Sequence, residues 1–318
     1  MQEIGVKLNS IEQRTLDKKP NESKKHKEAP IRGINQQTLM QKLKGYIRAP
    51  GSLLLLMAVL LGAGVTVSVL GLLVVYILMK GIPHLSLNLF AWEYTSTNVS
   101  MMPAIINTLM MTGLALLIAV PFGIGAAIYL VEYAKKDNKL VGLIRVTAET
   151  LTGIPSIVYG LFGMLFFVTT LGWGYSIIAG ACTVAIMILP VIMRTTEEAL
   201  LSVPDSYREG SFGLGAGRLR TVFRIVLPAA IPGILSGIIL AIGRIVGETA
   251  ALMYTSGTVA DVSTGLMDSG RTLAVHMYAL SSEGLHTDQA YATAVVLLVI
   301  VMGINWLAGV VSKRISRG

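Results

Sequence analysis

Charged residues and cysteine are both scarce in this sequence of 318 residues, and each shortage excludes a class of protein. Only 14% of the residues are charged, whereas an ordinary soluble domain carries roughly a quarter. Cys182 is the only cysteine, which excludes an intramolecular disulfide and a cluster of thiolate ligands around a metal. Because 53% of the residues are hydrophobic, the composition indicates an integral membrane protein.

The sequence also lacks a phosphate-binding loop of the form G-x-x-x-x-G-K-[ST]. The backbone amides and the lysine of such a loop hold the phosphates of a nucleotide. We therefore expect that this polypeptide is not an enzyme and does not itself hydrolyse ATP. We also expect it to hold no metal and no cofactor.

Positive charge is concentrated at the beginning of the chain, where residues 1–50 contain 11 of the 26 Lys and Arg residues. This segment has little apolar material to bury, which is typical of a flexible tail. Anionic lipid or nucleic acid could attract it, but its composition favours a solvated cytoplasmic end and no nucleic acid. The polar lead is too long for a cleavable signal peptide. We therefore divide the chain into a basic tail, 1–50, and a membrane domain, 51–318.

Six apolar runs are candidates for transmembrane helices, because about 20 residues at 1.5 Å each cross the hydrocarbon layer. They are Leu53–Met79, Ile105–Val131, Ile154–Thr170, Tyr175–Met193, a run that begins near Ile225 and continues through 243–252, and Ala290–Val311. Most of them contain proline, which bends or ends a helix and is tolerated where a lined cavity satisfies the freed backbone groups. The runs also contain glycine, and together these residues could mark broken helices around a pathway. The alternative is ordinary close packing of helices through small residues. The pattern predicts an all-α membrane protein with six transmembrane helices, some of them broken.

The distribution of Lys and Arg between the runs predicts the orientation. Four lie between the second and third runs and five between the fourth and fifth, whereas the intervening connections carry one or none. The rich connections are therefore predicted to be cytoplasmic. With an even number of crossings, both termini are predicted to be cytoplasmic as well.

The connection at about residues 194–228 is too polar for the membrane and too patterned for a plain linker. Pro204 suits the first turn of a helix, and the glycines at 213, 215 and 217 predict its end. We expect a short helix, a glycine turn and a second helix that leads into the membrane. This connection is called the coupling loop below.

The coupling loop resembles the EAA loop of binding-protein-dependent ABC importer permeases. The family pattern is Glu-Ala-Ala, three residues, Gly, nine residues, Ile, one residue and Leu-Pro. The residues at these spacings are Glu209, Gly210, Ser211, Gly215, Ile225, Leu227 and Pro228. Two small residues, Gly210 and Ser211, replace the alanines. The resemblance implies a type I ABC importer permease (MetI-like) fold in a cell membrane, with lipid around it.

In that family the EAA loop docks on a separate ATPase subunit, and a short exposed helix can occupy a groove on such a partner. The resemblance therefore implies that Tyr207, Arg208 and Glu209 lie on the docking helix. Gly215 is expected to form the turn, where glycine lets the backbone change direction. The alternative for Arg208 and Glu209 is a solvated helix face.

Three further stretches resemble the phosphate-specific Pst branch of these permeases. They are ETLTGIPSIVYGLFG (149–163), GRIVGETAALMYTSG (243–257) and the stretch from Arg271 to Trp306, which favours a PstA-like over a PstC-like permease. This resemblance implies import of inorganic phosphate, with a PstC-like permease as heterodimer partner. Two PstB-like ATPase subunits would use ATP, and a PstS-like phosphate-binding protein would deliver the substrate.

Arg244 and Glu248 stand four residues apart in an apolar run, where a charged side chain costs about 2.5–3.5 kcal/mol and marks a candidate functional site. In the Pst family this pair is associated with the phosphate path. Arginine presents a planar set of donors that matches phosphate oxygens, and we expect Glu248 to hold it in place. Two alternatives are a structural ion pair on one helix face and a position at the membrane edge in water.

Other hypotheses stay open at this stage. A permease for phosphonate, molybdate or sulfate would use the same arginine chemistry, and a membrane sensor or a secondary carrier are further alternatives. In the connection before the last run, Arg271 could attract phosphate or contact the delivering protein. We expect His276 and His286, in the same connection, to be surface residues, and the alternative is a role in facing the delivering protein.

Overall fold

The structure is a computed structural model that describes residues 50–135 and 138–315. The predicted tail, 1–50, lies outside the described residues except at its last position. The described residues divide after Leu70 into two units, and every site residue discussed below belongs to the second. The predicted domain boundary after residue 50 stays a prediction.

The described residues are helical, with turns and loops between the helices and no β-strand among them. The helices are α1 (Pro50–Gly81), α2 (Met102–Ile128), α3 (Lys139–Thr152), α4 (Ser156–Gly163), α5 (Ile177–Leu201), α6 (Asp205–Gly213), α7 (Arg218–Thr221), α8 (Leu227–Val246), α9 (Ala250–Thr255), α10 (Leu273–Glu283) and α11 (Thr287–Ile315). Single π-helical turns extend α2 over Tyr129–Tyr133 and α4 over Met164–Thr170, and a third joins α7 to α8 over Val222–Val226. The prediction of an all-α fold is confirmed.

Five helical segments are long and apolar enough to cross a membrane. Helices α3 and α4, the latter with its π turn, form a sixth crossing if they are counted as one broken span. The angle between the two at the break is 101°. The bend lies between Thr152 and Ser156, where Pro155 has extended backbone dihedrals (φ −58°, ψ 141°). The hydroxyl of Tyr159 donates to the Leu151 carbonyl across the bend at 2.8 Å. The predicted third span, 154–170, therefore begins at a sharp break.

Helix α5 lies at the centre of the second unit. In its most apolar stretch 67% of the residues are buried, against 28% for the segments that contain α2 and α8, and 6% for α11. Its side chains pack with Met111 of α2 and Ala241 of α8 in the main apolar cluster. At Gly237 of α8 a side chain would collide with Thr195 of α5, so this glycine permits the close contact.

The fifth predicted run is broken rather than continuous. Helix α8 ends at Val246, residues 247–249 are not helical, and α9 begins at Ala250. By contrast, Pro121, Pro190 and Pro232 lie inside helices that continue past them. The prediction that proline breaks a helix is confirmed at Pro155, whereas the break at 247–249 contains no proline and was not predicted.

Candidate transport site and coupling loop

Arg244 lies in the last turn of α8 and is partly buried. It lines a cavity of about 560 Å³ together with Ser236 and Asn305, which supply the other polar side chains of the wall. The remaining lining residues are Val191, Ile239, Leu240 and Gly243. Tyr159 of α4 lies within electrostatic reach of the guanidinium group. The cavity thus combines one cation with hydrogen-bonding groups and apolar walls.

None of the ion pairs within the described residues involves Arg244. The alternative interpretation, a structural ion pair between Arg244 and Glu248 on one helix face, is not what the structure shows, because α8 ends between the two residues and the i,i+4 geometry no longer applies. Among the described residues, Arg244 therefore has no carboxylate partner. The predicted role of both residues in a substrate path stays a prediction.

Glu248 has a structural position at the break. Its side chain is buried, and Oε1 accepts a hydrogen bond from the Ala251 backbone N–H at 3.0 Å. That N–H belongs to the first turn of α9, where the helix itself supplies no acceptor. The carboxylate also carries negative charge to the positive end of the helix. Glu248 thus fixes the start of α9 beside Arg244.

Helix α9 packs tightly against α4 just beyond this point. A Cβ atom at Gly160 would lie 2.9 Å from the Ala251 Cα, closer than side-chain carbons approach a backbone. The glycine therefore permits the contact that holds α9 in place. The sequence stretch 149–163 and the stretch 243–257, selected for their resemblance to one family, meet here in space.

The coupling loop has the predicted form, although α5 continues to Leu201 and takes up its first residues. Helix α6 is followed by a turn in which Gly215 has φ +82°, a conformation that favours glycine. Helix α7 then leads through a π turn into α8. The Ser211 and Thr221 hydroxyls form a buried hydrogen bond of 2.8 Å, which closes the turn.

Arg208 of α6 is held within the protein rather than presented to solvent. Its side chain is 14% exposed, and it forms an ion pair with Glu132 at 2.8 Å. Its guanidinium also donates to the carbonyls of Leu200 at 2.9 Å and Val203 at 2.8 Å, and to Asp205 at 3.1 Å. Arg208 thus ties α6 to the ends of α2 and α5. Its predicted contact with an ATPase stays a prediction.

Other side chains of the loop are presented outward. Tyr207 is 53% exposed and Leu214 is 91% exposed, and Glu209 is exposed and belongs to none of the ion pairs in the described part of the chain. Sequence reasoning did not select Leu214 or Phe212. The apolar character of two exposed positions within a polar loop is the signal that could have found them.

The opposite end of α5 contacts the connection between α9 and α10. The amides of Ile177 and Ile178 donate to the carbonyls of Asp268 and Leu266, both at 2.9 Å. The same connection contains Arg271, which is 6% exposed and lies over the Tyr94 ring at 4.6 Å. The contact between the start of α5 and this connection was not predicted.

His276 is fully buried, so the expectation that it is a surface residue is wrong. Burial and the nearby Arg271 charge lower its pKa to about 3, because both disfavour the imidazolium. His276 lies in α10, outside the candidate membrane spans. His286 is half-buried.

The fold and the site define a multi-pass membrane permease. The features that do so are the long apolar helices, the polar coupling loop with its exposed short helix, and the arginine in a cavity with apolar walls. Residues 119–317 match the family described as binding-protein-dependent transport system inner membrane component. That match covers more than half of the chain, and the chain belongs to this family. It includes the coupling loop, the Arg244 cavity and the break at 247–249.

Two relatives illustrate the similarity. The probable ABC transporter permease protein YqgI of Bacillus subtilis (strain 168) is 34% identical over 268 residues, which cover 76% of this chain and 89% of YqgI. The phosphate transport system permease protein PstA of Yersinia pestis is 36% identical over 245 residues, which cover 74% of this chain and 81% of that protein. The resemblance to PstA-like ABC permeases is confirmed.

The fold is similar to that of a solved structure of a bacterial alginate ABC transporter in complex with an alginate pentasaccharide-bound periplasmic protein. The TM-score is 0.65 and the identity 18%, with 88% of this chain and 99% of that chain covered. At this identity the likeness concerns the fold alone.

Proposed function

We propose that this chain is the PstA-like permease subunit of an ATP-driven importer of inorganic phosphate. The observation that carries the proposal is the unpaired Arg244 in an apolar-walled cavity of a chain related to phosphate permeases. A guanidinium stays charged at all physiological pH values and offers parallel donors to two oxygens of a phosphate. A site of one cation and two neutral polar groups binds an anion without holding it so tightly that release fails.

The energy for transport comes from a separate ATPase through the coupling loop. Exposed Tyr207, Glu209 and Leu214 form the surface for that partner. Arg208 transmits the partner's movement, because it joins α6 to the ends of two membrane helices, α2 and α5. Displacement of α6 then moves these helices, and the cavity opens alternately to either side.

The complete importer contains a PstC-like permease, two PstB-like ATPase subunits and a PstS-like phosphate-binding protein. The coupling loop and both termini face the cytoplasm, and the connection between α9 and α10 faces the donor protein. This orientation rests on the distribution of Lys and Arg. It places the two ends of α5 on opposite sides of the membrane.

The test is uptake of radiolabelled phosphate by cells that lack this gene, complemented with the wild-type chain or with Glu209→Lys. Wild type should restore uptake, and a hundredfold excess of unlabelled phosphate should suppress it far more than sulfate, molybdate or phosphonate. Glu209→Lys should reduce uptake by about tenfold or more, since 1.4 kcal/mol of lost docking energy changes an affinity tenfold.

The matched control is Glu283→Lys, which reverses an exposed acid at the end of α10, away from the coupling loop. It should transport like wild type at equal membrane levels. Suppression by another oxyanion in place of phosphate would contradict the assigned substrate. Uptake that survives deletion of the ATPase would contradict the coupling.

A further inference from the structure

Buried polar atoms without a hydrogen-bond partner are concentrated at the start of α10. Six buried side-chain N or O atoms of the described residues lack a partner, and five of them belong to Arg271, Thr272 and His276. The sixth is Thr196 Oγ1. Because the great majority of buried polar side-chain atoms in proteins are hydrogen-bonded, a cluster of five within six residues requires a physical reason.

Arg271 presents the largest energetic cost. Nε and Nη2 have no partner, and none of the ion pairs in the part of the chain that the structure describes includes this residue. An arginine cannot lose its charge in a protein, so burial of the cation without an anion is unfavourable. The Tyr94 ring compensates only part of this cost, because a cation–π contact supplies about 2 kcal/mol when desolvated. An anion would supply the rest.

The backbone at this point also favours an anion. Thr272 precedes the first residue of α10 and its side chain makes no cap, while Thr108 of α2 accepts from the Leu273 N–H at 2.8 Å. The following amides of the first turn point along the helix axis and give this end a partial positive charge. The Thr272 hydroxyl adds a further donor.

One ring N–H of His276 is directed towards the Val99 carbonyl, and the other ring nitrogen is an acceptor because the imidazole is neutral. Hydrogen phosphate has both acceptor oxygens and an O–H donor, so it complements a neutral imidazole beside a guanidinium. A sulfate ion lacks the donor. The set of side chains therefore suits a protonated tetrahedral oxyanion better than a fully deprotonated one.

We propose that Arg271, Thr272 and His276 form a second oxyanion-binding site, whose ligand is inorganic phosphate, at the end of α5 opposite to the coupling loop. The choice of phosphate rests on the proposed function. Tyr94 covers the site, since its ring stacks on Arg271 and meets His276 edge-on at 6.1 Å. An entering anion displaces this ring and takes over the neutralisation of Arg271.

The test uses the full-length chain in lipid nanodiscs, with binding of radiolabelled inorganic phosphate at equilibrium and thermal unfolding with and without phosphate. Arg271→Gln should weaken binding at this site about tenfold or more, since truncating one partner of a buried charged contact has effects of this order. It should also abolish the rise in Tm that phosphate causes there. In phosphate-free buffer its Tm should equal or exceed that of wild type, because an uncompensated buried charge is removed.

Two further variants separate this site from other effects. Arg218→Gln is the matched control, since Arg218 also lies over a tyrosine ring, at 5.8 Å from Tyr133, but is exposed; it should bind phosphate like wild type. Thr272→Val removes one hydroxyl at constant shape and should weaken binding severalfold. Arg244→Gln should leave this site intact, since Arg244 lies on α8, in the wall of the cavity with Ser236 and Asn305.

Two outcomes would overturn the proposal. Unchanged phosphate binding in Arg271→Gln would exclude the site even if wild type imports phosphate normally. A lower Tm of Arg271→Gln in phosphate-free buffer would mean that a protein group already satisfies the guanidinium. Binding of sulfate or molybdate in place of phosphate would likewise contradict the assigned ligand, whereas the substrate of the proposed function is decided by the uptake assay.

Discussion

Arg208 and Arg244 lie in two regions of the same chain and have opposite surroundings. Arg208, at the coupling loop, donates to two carboxylates and two backbone carbonyls and is 14% exposed. Arg244, at the end of α8, belongs to none of the ion pairs among the described residues and faces a cavity of about 560 Å³. An arginine that the protein satisfies holds elements together, whereas one that it leaves unpaired is available to a ligand.

The difference between the two arginines can be tested by removing Glu132, the buried carboxylate that pairs with Arg208. Glu132→Ala should lower the free energy of unfolding by about 1.5–3 kcal/mol, because it removes this carboxylate and leaves the guanidinium with the exposed Asp205 and two backbone carbonyls. Denaturant unfolding of the purified protein measures the change. The control is Glu149→Ala, which removes an exposed partner of Arg194 and should have no measurable effect. Equal effects of the two substitutions would contradict the holding role of Arg208.

The buried His276 should make the stability of the protein depend on pH. Its native pKa of about 3 lies below the ordinary value of 6.5, so only the unfolded chain takes up this proton in mild acid. Stability should therefore fall as the pH decreases from 7 to 5, by about 2 kcal/mol from this residue. His276→Leu should lose that component of the pH dependence. An unchanged slope would mean that His276 is protonated in the native state or exposed.

The comparison can be sharpened by giving the unpaired arginine a carboxylate. Asn305→Asp places an acid in the cavity that Arg244 lines, where it should pair with the guanidinium and repel phosphate. Uptake should fall about tenfold, which corresponds to 1.4 kcal/mol. Asn305→Ala is the control and should reduce uptake less, because it removes one hydrogen-bonding group from the cavity without adding a negative charge. A loss of the same size in both variants would point to Asn305 itself.

The smallest expected effect concerns the break beside Arg244. Glu248→Ala removes the acceptor for the Ala251 N–H and should lower stability by about 1 kcal/mol, the usual value for a lost N-terminal cap. Glu248→Gln keeps an acceptor at that position and should lose less stability. If Glu248→Gln nevertheless stops phosphate uptake at normal membrane levels, the carboxylate charge has a function beyond capping.

Much of this architecture could be predicted from the sequence. The apolar runs are long enough to identify the membrane helices by composition alone, and Gly215 forms the turn that its glycine identity indicates. The exception was the fifth run, in which Gly247 and the following Glu248 and Thr249 are the residues of a helix end and a new start. Apolar composition on both sides of these residues concealed the break.

The surroundings of the individual arginines could not be predicted in this way. Arg208 is paired with Glu132, 76 positions earlier in the chain, and no local pattern indicates such a contact. The sequence analysis placed His276 at the surface because it lies between two apolar runs, yet Tyr94 from another connection packs against it. Whether a charged side chain has a partner depends on tertiary contacts. These contacts distinguish an arginine that holds helices together, such as Arg208, from one that is available to a ligand, such as Arg244.

The most direct test compares Arg244→Gln with Arg208→Gln in the same cells, with phosphate uptake and membrane levels measured for both. Arg244→Gln should accumulate like wild type and lose at least about nine-tenths of its uptake, because a lost charge-assisted contact costs 1.5 kcal/mol or more. Arg208→Gln should lose its membrane level first. Normal uptake in Arg244→Gln would contradict the claim that this unpaired arginine serves the transported anion.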